Sequence, residues 1–120
     1  MPKLVLDANA LLLPFQIPLN LDTEIQGLIG EFEGLVPRCV LEELEGLQSS
    51  VPAAKAAFRL AQRYTLVEAA PPADAAILKL AVEHSAYVLS LDRDLIEKLR
   101  LVNVRVLTLR AGNRLVLLGN

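Results

Sequence analysis

Short apolar runs alternate along this chain with stretches of helical periodicity, and that alternation limits the possible folds more than any other feature. KLVLD, GLVP, TLVEA, AYVLSL and VRVLTL read as short strands. Between them, LDTEIQGLIGEF, RCVLEELEGLQ, AAKAAFRLAQRY, DAAILKLAVEHS and RDLIEKLR carry helical spacing, and ANALLL adds a brief helical turn after the first strand. Prolines punctuate the pattern. Pro14 and Pro18 mark a loop, Pro37 and Pro52 open helices, and the Pro71-Pro72 pair resets the chain before the next one. The first long helix should be capped near Asp22 or Thr23. In the tail, RAGNRLVLLGN contains a Gly-Asn turn followed by an apolar strand, the pattern of a closing hairpin. Strands alternating with helices build a mainly parallel sheet covered on both faces. The expected fold is therefore a single-domain three-layer α/β/α arrangement over residues 1–120, with no internal repeat, low-complexity tract or linker.

A chain of 120 residues, 53% of them apolar, is long enough for one sizeable core. It has one Cys and one His, which excludes an internal disulfide and a Cys/His zinc cluster. Any metal must be held mainly by oxygen, which points to Mg²⁺, Mn²⁺ or Ca²⁺. Asp7 interrupts the first apolar run before an export signal could form, and no apolar run is suited to cross a membrane. A soluble, cytoplasmic protein is expected. The net charge of -2 excludes a uniformly basic nucleic-acid coat.

Within LVLDANALLL, the charge on Asp7 demands an explanation, because an ionised carboxylate near a core is costly unless something offsets it. In a parallel sheet, ligands bind along the edge formed by the carboxyl ends of the strands. Asp7 closes the first strand, and Asp92 follows AYVLSL with Asp94 just beyond. Asp74 starts the helix after the proline pair and can reach the same edge. Asp7, Asp74 and Asp92 each also precede a helical segment, where Asp is a favoured cap. Caps, however, have no reason to gather on one edge. A further acid comes from LEELEGL. At about 100° per residue, Val40, Leu41, Leu44 and Leu47 share one apolar arc. Glu42 points away from that arc, while Glu43 and Glu45 border it, with periodicity leaning slightly to Glu43.

Clustered carboxylates cannot all stay ionised unless a cation neutralises them or their pKa values rise. Mg²⁺ or Mn²⁺ resolves the conflict and leaves coordination positions for a phosphate oxygen. Phosphodiester hydrolysis is the natural chemistry of such a site.

The segments LVLDANALL, VPRCVLEELEGL, ADAAILKLA and VLSLDRDL, in this order from about Lys3 to Leu109, resemble the PIN-domain family of mostly metal-dependent ribonucleases. The resemblance implies that Asp7, Glu43, Asp74 and Asp92 form the acidic metal-binding set. It further implies that Asp94 is an auxiliary acid, and that Asn9 and Ser90 are polar supports. VLEELEGL and the RLVL hairpin look closest to small archaeal-type PIN proteins related to ribosomal-RNA processing nucleases. Toxin-type PIN ribonucleases share the same acids. The rRNA-processing branch often has a second acid after the third motif's Asp, where this chain has Ala75. The implied activity is that of a Mg²⁺- or Mn²⁺-dependent endoribonuclease acting in RNA processing or as a toxin. The alternative is a catalytically weak PIN-fold module that binds RNA or protein. A phosphoacceptor domain fits poorly, since Asn9 stands where the dehalogenase-type motif needs a second Asp and VRVLTLRAG lacks a receiver-type Lys.

Lys55, Arg59 and Arg63 recur at helical spacing and form a candidate basic stripe for RNA, with Arg38 a weaker candidate. The same stripe would also serve as a plain solvated helix face. Phe58, Ala61 and Tyr64 read as core, His84 as structural, and Cys39 as buried and inert. RNA is the expected partner. So leucine-rich a chain also suggests a homodimer, and the family resemblance leaves room for an inhibitor or ribosome-assembly protein.

Overall fold

A computed structural model describes residues 1–119 of the chain. Strand β1 (Lys3–Leu6) is followed by α1 (Ala8–Leu12), a 3₁₀ turn (Leu13–Phe15) and α2 (Leu21–Ile29). Then come β2 (Glu33–Pro37), α3 (Arg38–Leu47), α4 (Ala54–Ala61), β3 (Thr65–Val67) and α5 (Ala73–His84). β4 (Tyr87–Leu89), α6 (Arg93–Leu101), β5 (Val106–Arg110) and β6 (Arg114–Leu117) complete the order.

The six strands form one sheet in the order β3-β2-β1-β4-β5-β6. β1 to β5 run parallel and only β6 is antiparallel, returning from β5 through a turn in which Gly112 takes a φ of +81°. The mainly parallel three-layer fold read from the sequence is thus the observed one. Leu4, Val5, Val36, Val88, Leu89 and Leu107 are each 0% exposed, as expected of strands covered on both faces. α5 packs across β1, β2 and β4, α6 packs on β5, and these two helices touch each other. Right-handed crossovers put α1 to α4 on the opposite face, where α2 packs against β6.

Several local details differ from the sequence reading. α2 is capped by Asn20, whose Oδ1 accepts from the Thr23 N–H at 3.2 Å, and not by Asp22 or Thr23. α4 ends at Ala61, so Arg63 lies beyond the helix. Pro72 is the N-cap of α5, which leaves Asp74 inside the first turn with no capping bond. Among the described residues, no helix is long and apolar enough to cross a membrane.

The strand order fixes where a ligand can sit. From β1 the chain steps outward to β2 and β3, then crosses back to lay β4 on the other side of β1. At such a reversal the connections leave in opposite directions, opening a crevice outside the carboxyl ends of the two strands. Here those strands are β1 and β4.

Candidate functional site

Asp7 and Ser90 are the two buried polar or charged side chains among the described residues, 8% and 0% exposed, and they are hydrogen-bonded to each other at the carboxyl ends of β1 and β4. Asp7 is the first residue beyond β1 and caps α1, its Oδ1 accepting from the Ala10 N–H at 2.8 Å. Its Oδ2 accepts from the Ser90 hydroxyl, also at 2.8 Å. The Ser90 Oγ in turn accepts from the Asp92 N–H at 3.1 Å. Asp92 caps α6 through Oδ1, which accepts from the N–H groups of Asp94 at 2.9 Å and Leu95 at 3.2 Å. One run of hydrogen bonds therefore ties the end of β1 to the end of β4 and to the start of α6.

Burial pushes the Asp7 carboxyl up to about 6 from an ordinary value of 3.8. The negative charges of Asp92 and Glu43 add to the rise, while the Ala10 N–H and the Ser90 hydroxyl oppose it. Glu43 is thus the α3 carboxylate whose charge acts on Asp7. Its helix turns as the periodicity required, with Val40 and Leu44 fully buried and Glu43 exposed on the border of that face. Among the described residues, no cation pairs with Asp7. The described residues form two ion pairs, Arg38–Glu68 and Arg114–Glu24, and neither includes Asp7, Glu43 or Asp92.

The other candidate residues are less tightly linked. Asp74 is exposed, is not among the charges acting on Asp7, and lines a groove between α5 and α6 with Leu95 and Lys98. Asp94 is exposed in the first turn of α6. Asn9 is exposed on α1, and among the described residues its side chain has no hydrogen bond to an acid. Lys55 and Arg59 are exposed on α4. Arg63 lines a cavity with Met1, Glu33 and Thr65, which belong to the amino ends of the strands. The expected basic stripe therefore does not continue along one helix, because it runs off α4 toward the edge opposite the acids. Arg38 is held by Glu68, Nε to Oε1 at 2.7 Å. Cys39 is buried, which pushes its thiol up, and His84 is an exposed residue at the end of α5.

Oxygen donors dominate this edge, which suits a hard divalent cation. Among the described residues, no three Asp, Glu, Cys or His side chains are grouped so as to hold one ion. Mg²⁺ commonly binds through only one or two carboxylates and keeps several waters. Asp7, with a neighbouring Asp92 or Glu43, fits that mode: a buried carboxylate faces like charges and lacks a positive partner. Neither Arg93, which directly follows Asp92 as the first residue of α6, nor Glu68, which holds Arg38, stands out in the sequence.

Comparison with solved structures gives the same architecture. The PIN domain endonuclease Utp24 superposes with a TM-score of 0.81 at 19% identity, covering 96% of this chain and 90% of that one. A domain of a functionally unknown protein from Methanocaldococcus jannaschii gives 0.63 at 17% identity, covering 100% and 99% of the two chains. A PilT N-terminus domain protein from Sulfolobus solfataricus gives 0.51 at 14% identity, covering 88% and 86%. Identities this low establish the fold alone. No curated protein matches the sequence. The family model described as a PIN-like domain matches residues 4–112. PIN domains are generally nucleases, and with that match over nearly the whole chain, on a nuclease-type fold, this protein belongs to the PIN-like domain family.

Proposed function

We propose that this protein is a Mg²⁺- or Mn²⁺-dependent endoribonuclease in which Asp7, Glu43, Asp74 and Asp92 form the acidic set and Asp94 assists. The observation that carries the reading is the buried, uncompensated Asp7 carboxylate at the β1/β4 crevice, with the charges of Asp92 and Glu43 acting on it. Asp7, Glu43, Asp74 and Asp92 are the residues that would hold the cation. When bound, a divalent cation activates water for attack on phosphorus and offsets charge on the departing oxygen. Ser90 keeps Asp7 oriented through its hydroxyl, and the backbone of α1 fixes the other carboxylate oxygen. RNA in the cytoplasm is the proposed substrate, cut in RNA processing or in a toxin-type role.

Purified protein incubated with RNA and Mn²⁺ should cut it, stop on addition of EDTA, and lose activity in the Asp7→Asn variant. Equal residual cleavage by the wild type and Asp7→Asn would assign the activity to a contaminant and remove this reading.

A second reading is a catalytically weak module that holds RNA or a protein partner. It is favoured by the absence, among the described residues, of three acids grouped around one point. Calorimetric titration separates the two, because a scaffold need not bind Mn²⁺ through Asp7.

A further inference from the structure

An acidic edge repels the phosphates of the substrate proposed above, so a nuclease of this kind needs positive charge beside it. Six of the chain's 12 Lys and Arg residues lie from position 93 onward, against two of its 14 Asp and Glu residues. Two of these bases, Arg93 and Arg100, stand seven residues apart on α6 and therefore on one helix face, about 10 Å apart along the axis. Both line a cleft of about 900 Å³ between α6 and the β5–β6 hairpin. The cleft adjoins the site along the chain: Leu91 and Arg93, the neighbours of Asp92 on either side, form part of its wall, although Asp92 itself does not line it. It extends along α6 to Asn103 and Leu118. Leu91, Ile96, Leu109 and Leu118 supply apolar surface, and Glu97 is the one acid of the lining, against two arginines. The Arg100 guanidinium donates to the Gly119 carbonyl, which fixes it against the cleft wall and leaves other N–H groups unused by that bond.

We propose that this cleft binds single-stranded RNA as it leaves the acidic edge, with phosphates on Arg93 and Arg100 and unpaired bases against the apolar floor. The proposal rests on the nuclease reading and gives it a substrate path. Residues on either side of Asp92 line the cleft, and its two arginines against one acid complement the phosphates. Single-strandedness follows from the floor: bases locked in a duplex cannot be splayed into a cleft of this kind, whereas unstacked ones can. The path lies on the α6 face of the sheet, away from Lys55 and Arg59 on α4.

The test is fluorescence anisotropy with a short unstructured oligoribonucleotide, performed on the full chain in EDTA so that binding is read without cleavage. Arg93→Ala/Arg100→Ala should weaken binding about tenfold or more. It should also shrink the slope of log affinity against log salt by about 1.4, the loss of two phosphate contacts on a single strand. Lys79→Ala, which removes a charge from α5 outside the cleft, should change affinity less than about twofold. Circular dichroism checks that the variants are folded. A measurement independent of them is crosslinking with 4-thiouridine RNA, which should label residues 91–101 and 108–118. No binding by the wild type, unchanged binding by the double variant, a preference for duplex, or crosslinks confined to α4 would each overturn the proposal. RNA bound in the cleft but left uncut in Mn²⁺ would keep the path and remove the nuclease reading. Normal cutting by the double variant would do the reverse.

Discussion

The Ser90 hydroxyl donates to Asp7 Oδ2 at 2.8 Å across 83 positions of sequence, and Ser90 Oγ itself accepts the Asp92 N–H. This serine is the buried link between the two strand ends that open the crevice. Ser90→Ala leaves a carboxylate oxygen and a backbone N–H without that partner. It should cost about 1–3 kcal/mol in urea denaturation and reduce Mn²⁺-dependent cleavage.

Asp7→Asn should abolish cleavage while making the metal-free protein more stable. An Asn can still cap α1, and it removes the burden of a buried charge beside Asp92 and Glu43. Thermal melts in EDTA at pH 8 should show a midpoint several degrees above the wild type. A lower midpoint would mean that the carboxylate is worth more as a hydrogen-bond acceptor than its desolvation costs.

The stability of the metal-free protein should fall as pH rises from about 4 to 7. The folded Asp7 carboxyl titrates near 6 and the unfolded one near 3.8. Within that window the native state holds a proton that the unfolded chain has released. The unfolded state then binds fewer protons, and unfolding becomes easier with rising pH. The full effect is on the order of 3 kcal/mol, and Asp7→Asn should remove it.

Mn²⁺ should raise the melting temperature of the wild type, more so above pH 6, where Asp7 is ionised. At a hundredfold excess over the dissociation constant the gain is about 2.7 kcal/mol. The shift should be absent in Asp7→Asn.

On β2, Gly34→Ala should destabilise the sheet. A Cβ at Gly34 would stand 2.4 Å from Tyr64 Cδ1. That ring is held by Phe32, centroids 6.3 Å apart, and by a 2.5 Å hydrogen bond from its hydroxyl to Asp22. The expected cost is about 1–3 kcal/mol, measured by denaturant unfolding.

Much of the architecture was legible because the Val- and Leu-rich runs are bounded by Pro, Gly and Asp, residues that stop strands for local reasons. Asp7 stood out for the same reason, being a charge that burial cannot ignore. Where several residues could do one job, the sequence was ambiguous. NLDT offers three cap-type residues within one turn, and the backbone selects Asn20. Arg63 extends the spacing of Lys55 and Arg59, but the helix stops two residues earlier and a turn carries it to the other end of the sheet. Asp74 looked like a cap, yet Pro72 takes that position. The α6 cleft was beyond local reading, since its second wall comes from a hairpin placed in the sheet by the pairing of β5 with β4, on the far side of α6 in sequence.

Asp7 and Asp92 each begin a helix as well as facing the crevice. Nucleating a turn asks only for a short polar acceptor, and the uncharged amide of asparagine supplies one. Exchanging one oxygen for nitrogen would therefore silence the chemistry while sparing the scaffold, so an inert descendant that merely clasps its ligand lies a single conservative change away.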